Sequence, residues 1–200
     1  MKKWLALLLT LALSLAAIPS LAAQETGFAI PYPSYMTESE GEALALPQKP
    51  ERIVCLSNAA LQALVRSDIR PIAVTTPTSF VEYPDWVAEL PVIATGMGSL
   101  DVESVIALEP DLVIMGVHLK EGFAQQLTDA NIPVYYTSEG PSITYAETKE
   151  EALTLVGAFG SESLAQALEA EFAEVEQRAA EYAASHETRR MMILFAAPPS

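Results

Sequence analysis

Leu100-Asp101-Val102-Glu103-Ser104-Val105-Ile106-Ala107-Leu108-Glu109-Pro110-Asp111-Leu112-Val113-Ile114 is the stretch on which the fold turns. Asp101 is placed to cap a short helix, because its carboxylate can accept from the open N–H groups of a first turn. Val102, Val105, Ile106 and Leu108 give that helix one apolar side. Pro110 cannot continue it. Asp111–Met115 then runs almost wholly apolar between turn signals, which predicts a strand buried on both faces.

The same alternation extends in both directions. Upstream, Arg52–Leu56 is a short apolar run and hence a buried strand, and Ser57-Asn58 open an amphipathic helix through Val65. Pro71–Thr75 predicts a second strand and Leu90–Ala94 a third. Downstream, Leu119–Ala130 predicts a helix with Phe123 and Leu127 on one face, and Pro133–Thr137 another strand. Strands alternating with helices imply an α/β lobe with a parallel, Rossmann-like sheet covered on both faces. Tyr145–Phe159 is a further helix ending at Gly160. Ser161 to about His186 is a long one, with Leu164, Leu168, Phe172, Val175, Ala179 and Tyr182 recurring every three or four residues. At 1.5 Å per residue it spans about 39 Å, long enough to bridge two bodies. Arg190–Ala197 predicts a fresh strand without following partners, so residues 188–200 are expected to begin a second, incomplete α/β lobe.

The N-terminus predicts export. Lys2 and Lys3 precede an apolar run from Trp4 to Ala17, and Pro19 and Ser20-Leu21-Ala22 follow, with cleavage before Ala23 or one residue later. Residues 1–22 thus read as a secretory signal peptide, too short in its apolar part to span a bilayer. Residues 23–49, with Pro31, Pro33 and Pro47, read as an extended leader; Tyr32 and Tyr35 are expected to pack on the domain rather than to reach a ligand. The one cysteine, Cys55, is far from the cleavage site, so no lipoprotein anchor is expected, and a soluble periplasmic protein without disulfides follows. The formal charge is −15, and losing Lys2 and Lys3 makes it −17. That balance excludes a phosphate-neutralising nucleic-acid surface.

Pro50-Glu51-Arg52-Ile53-Val54-Cys55-Leu56-Ser57, the stretch from Leu100 to Ile114, and Ala130-Asn131-Ile132-Pro133-Val134 together resemble the binding proteins of ABC importers for iron-siderophores, haem and cobalamin. Asn131 stands where that family's third motif has glycine. The resemblance implies two α/β lobes joined by one long helix, with the solute held in the cleft between them. Residues 50–160 would be the first lobe and 161–187 the interlobe helix. It implies a permease and its ATPase as partners, a ferric siderophore, haem or cobalamin as transported ligand, and no catalytic cofactor. It also implies that Glu103 meets arginines of the permease, although a first-turn acid suits the helix dipole without any partner, by about 0.3 to 1 kcal/mol.

Ligands of open parallel sheets lie beyond the carboxyl ends of the strands. The candidate contacts there are Ser57, Asn58, Thr76, Ser79, Phe80, Tyr83, Met97, Gly98, His118 and Tyr136. The loop from Thr76 to Trp86 mixes hydroxyls with aromatics, the polar points and flat walls that a chelate or macrocycle needs; the same aromatics could simply pin the loop. Met97 between glycines is a flexible apolar contact or, if the solute is haem, an iron ligand. His118 has no companion donors that would make it a metal site. Rival classes are thinly supported. Cys55 and His118 lack a third orienting group for hydrolysis, Ser57 lacks the Gly-x-Ser-x-Gly elbow, and Gly96-x-Gly98 lacks the third glycine of a dinucleotide turn. An adhesive domain stays open.

Overall fold

The computed structural model of the chain describes residues 27–96, 99–138 and 143–186. Its central sheet is parallel. Ala73–Val74 (β4), Ile53–Leu56 (β3), Leu112–Gly116 (β7) and Val134–Thr137 (β8) lie side by side in the order β4-β3-β7-β8. Val54 is in register with Val113, and Val113 with Val134. Every residue of β3 and β7 is buried, as their unbroken apolar runs require of strands covered on both faces. Asp111 ties the amino ends together: its two carboxylate oxygens accept from the Glu51 and Arg52 N–H groups at 2.8 and 2.9 Å.

The expected third strand, Leu90–Ala94, is reduced to a single parallel bridge between Val74 and Val92. The chain before it is taken up by a 3-10 turn, Asp85–Glu89, and Pro91 has no N–H to extend a ladder.

The helices begin where side chains can cap them. Ser57 caps Asn58–Arg66 (α2), and Asp101 caps Val102–Ala107 (α3), its carboxylate accepting from both the N–H and the hydroxyl of Ser104. Those bonds hold the Asp101 carboxyl below its usual range. Lys120–Asp129 (α4) follows a 3-10 turn, Val117–Leu119. Thr144 and Glu147 form a reciprocal capping box on Tyr145–Phe159 (α5). Ser161 caps the 24-residue helix Glu162–Ser185 (α6). Its apolar stripe meets the lobe through Leu164, Leu168 and Phe172, and ion pairs Arg66–Glu171 and Lys149–Glu176 flank that contact. Beyond it, Val175 and Tyr182 are exposed.

The segment expected to be an extended leader, residues 23–49, is instead structural from residue 27 onward. Phe28–Pro31 (β1) pairs antiparallel with Ala43–Leu46 (β2), and between them lie a 3-10 turn, Ser34–Met36, and one helical turn, Thr37–Glu40 (α1). Ile30, Met36 and Leu46 are buried in the same core as the sheet. Tyr32 stacks on Tyr135 with ring centres 4.5 Å apart, and the Tyr135 hydroxyl donates to the Pro31 carbonyl at 2.8 Å. The Lys49 ammonium donates to the Phe159 carbonyl at the end of α5. Short alternating runs that bury one side suffice for a hairpin, and the prolines fall at its ends and outside it, where no ladder N–H is needed. Tyr32 and Tyr35 do pack on the domain. The signal-peptide stretch, Met97 and Gly98, and the strand expected at Arg190–Ala197 lie outside the described residues. Among the described residues, no helix is long and apolar enough to cross a membrane.

Candidate ligand-binding face

The carboxyl ends of β3, β4, β7 and β8 open onto one edge of the sheet, as parallel topology demands. After β3, Ser57 is fully buried and its hydroxyl accepts from Ala60 N–H, so that group is committed to α2. Asn58 reaches sideways. Its Nδ2 donates to the Thr76 carbonyl at 3.3 Å, and its Oδ1 accepts from Thr78 N–H at 3.0 Å. The amide thus braces the loop after β4 on both sides of Pro77.

That loop turns its residues in two directions. Thr76 and Ser79 are exposed, and Phe80 is 96% exposed. Tyr83 turns inward: its hydroxyl is buried without a hydrogen-bond partner among the described residues, and burial, with Cys55 nearby, pushes its pKa up. Trp86 is half-buried beneath the Arg70 guanidinium, 4.9 Å from the ring centre, which is a packing role. The neighbouring connection is tied back by Thr75 Oγ1 and Thr95 Oγ1 at 2.7 Å. Thr95–Gly96 (β5) then pairs with Ser99–Leu100 (β6) in a small hairpin. Met97 and Gly98 lie outside the described residues.

After β7, His118 stands exposed on the 3-10 turn. Lys120 follows. Its ammonium lies 4.8 Å from the centre of the Tyr136 ring and contacts both carboxylate oxygens of Glu40, at 2.7 and 2.8 Å. Tyr136 itself is buried, and burial first, then the Glu40 charge, raises its pKa. Glu40 belongs to α1, whose chain crosses the end of β8. On its other side, the Tyr35 hydroxyl donates to Glu151 Oε2 at 3.1 Å, and the same oxygen accepts from Ser138 N–H at 2.8 Å. Ser34 gives its N–H and its hydroxyl to Glu150.

The fold therefore places Thr76, Ser79, Phe80 and His118 as exposed groups on the carboxyl-end loops, while Ser57 and Tyr136 are buried and Tyr83 turns inward. Glu103 is exposed in the first turn of α3. Beyond the packing of Tyr32 and Tyr35, the contacts of the strap formed by residues 32–40 join positions 80 to 116 residues apart and leave no local signal in the sequence. Among the described residues no three His, Cys, Asp or Glu side chains are grouped as metal ligands. A groove of about 270 Å³ lies between α2, α5 and α6, lined by Ala59, Ala63, Glu151, Leu155, Leu168 and Phe172.

Residues 53–200 match the periplasmic binding protein family. The chain belongs to that family. No curated protein matches it. Among solved structures it is similar to a periplasmic haem-binding protein from Pseudomonas aeruginosa, with 23% identity, a TM-score of 0.56, and coverage of 68% of this chain and 48% of that one. It is also similar to the catecholate-siderophore binding protein VctP from Vibrio cholerae, at 20% identity, TM-score 0.52, and 78% and 52% coverage. The vitamin B12 binding protein BtuF of Vibrio cholerae matches at 20% identity, TM-score 0.52, and 67% and 51% coverage. The chain spans about half the length of these structures. At such identities the likeness is one of fold: a parallel α/β lobe followed by a long helix.

Proposed function

We propose that this protein is the solute-capturing component of an ABC importer, exported to the periplasm, and that it takes up a metal complex of the ferric-siderophore type. The carboxyl-end edge of the sheet carries the reading. Thr76, Ser79 and Phe80 stand exposed there on a loop braced by Asn58, and His118 stands exposed on the turn after β7, in a chain that matches the periplasmic binding protein family over residues 53–200. An exposed aromatic among hydroxyls offers a flat chelate both a wall and hydrogen bonds. Glu103, exposed and clear of these loops, is the proposed permease contact, and the permease with its ATPase the partners. Haem is the second solute considered, with Met97 as the iron ligand. A catalytic role gains no support: Cys55 is fully buried, with its thiol donating to the Ser57 carbonyl, whereas His118 is exposed.

The test is a fluorescence titration of the mature protein with ferrichrome, ferric enterobactin, cyanocobalamin and hemin. One of these metal complexes is expected to quench the fluorescence of the mature protein saturably. Failure of every complex to bind the mature protein would overturn the proposal.

A further inference from the structure

Among the described residues, Lys120 is the one Lys or Arg in the loops and first helical turns that leave the carboxyl ends of the parallel strands. Glu82 and Glu121 lie in those same segments. Lys120 is 39% exposed, yet its charge is already matched. Glu40 holds it with both oxygens, and Glu40 is only 5% exposed. The Tyr136 ring covers a further side of the ammonium. A carboxylate that is buried and bound in this way cannot be displaced by an incoming anion without leaving its own charge unpaired in the protein, which is costly.

We infer that Glu40 is a specificity-determining residue, which removes the charge of Lys120 from the ligand-binding edge and so biases the lobe towards metal complexes without net negative charge. The inference rests on the importer reading above. It separates solutes that the fold alone does not: neutral or cationic ferric hydroxamates and cobalamins are favoured over polyanionic ferric catecholates. Charge complementarity acts on such ligands mainly through association and wrong-partner exclusion. Glu40 acts on the ligand through Lys120 and is therefore a positioning residue rather than a contact.

The test compares two ferric probes, neutral ferrichrome and trianionic ferric enterobactin, by fluorescence quenching of the mature protein at low ionic strength. Glu40→Gln keeps the shape but frees the Lys120 charge. It is expected to strengthen ferric enterobactin binding about fivefold, the size set by one unit charge within a Debye length of a trivalent anion. Ferrichrome binding should stay within about twofold. The gain should vanish in added salt and in the double variant Glu40→Gln/Lys120→Gln, which removes both charges. A purely structural role predicts equal losses for both probes, and that result would overturn the inference while leaving the importer reading intact. Binding of neither probe nor cyanocobalamin by any of these proteins would instead refute the importer reading and this inference with it.

Discussion

Replacing Ile30 by Ala tests whether the N-terminal hairpin is part of the lobe. Ile30 is fully buried in β1, within the core that also holds Met36 and Leu46. Truncation removes three carbons and leaves a cavity that neighbouring strands can only partly close, at a cost of about 3 kcal/mol. For a protein of this size that corresponds to a melting temperature lower by roughly 9 °C. Urea unfolding followed by far-ultraviolet circular dichroism should show a lower midpoint at unchanged slope, since no new surface is exposed in the native state. Glu38→Ala, at an exposed position of α1, is the control and should stay within about 0.5 kcal/mol. If Ile30→Ala cost no more than that control, residues 27–49 would be a dispensable leader and the packing described for β1 would be wrong.

Other outcomes follow from the same contacts. Glu103→Lys reverses an exposed charge in the first turn of α3. It should impair uptake in a transport assay while costing about 0.3 to 1 kcal/mol of stability through the helix dipole and leaving solute affinity unchanged; equal loss of affinity would argue against a docking role. Tyr32 is pushed up to about 12, first by burial and then by Glu40, against a lowering backbone bond at Tyr136. A folded-state pKa above the unfolded value of about 10 means stability that is intact below pH 10 and is lost as pH rises towards 12. The urea midpoint should fall across that window, and Tyr32→Phe should flatten the fall; a midpoint constant to pH 11.5 would contradict the burial. Mass spectrometry of exported protein should find a mature start at Ala23 or Gln24, and an intact Met1 would contradict the signal-peptide reading.

The sheet was legible because its strands are buried on both faces. Arg52–Leu56, Asp111–Met115 and Pro133–Thr137 are short, mostly apolar runs, and each lies within one residue of the observed β3, β7 and β8. The caps were equally local: Ser57, Asp101 and Ser161 do what their side chains do at any helix start. The hairpin was hidden because β1 and β2 each bury alternate residues over only four positions, and prolines around them mimic an unstructured segment. Leu90–Ala94 misled in the opposite sense, since an apolar run around Pro91 cannot complete a ladder. For the candidate face, strand ends and loop composition pointed to Thr76, Phe80 and His118, which are exposed on those loops. Nothing local announced that Tyr83 would turn inward, that Asn58 would brace the neighbouring loop, or that Glu40 would cross the lobe to meet Lys120. Those are tertiary facts, fixed by which elements the topology brings together.

The central claim is that solute meets this lobe beyond the carboxyl ends of its parallel strands. Amide chemical-shift mapping of ¹⁵N-labelled mature protein with cyanocobalamin or with a gallium-substituted hydroxamate complex tests it most directly. The perturbed amides are expected to cluster at Asn58, Thr76–Phe80, Val117–His118 and Ser138, with Arg52 and Asp111 at the opposite ends of the strands unmoved. Shifts confined to those amino ends, or to the groove lined by Ala63, Leu155 and Phe172, would contradict it.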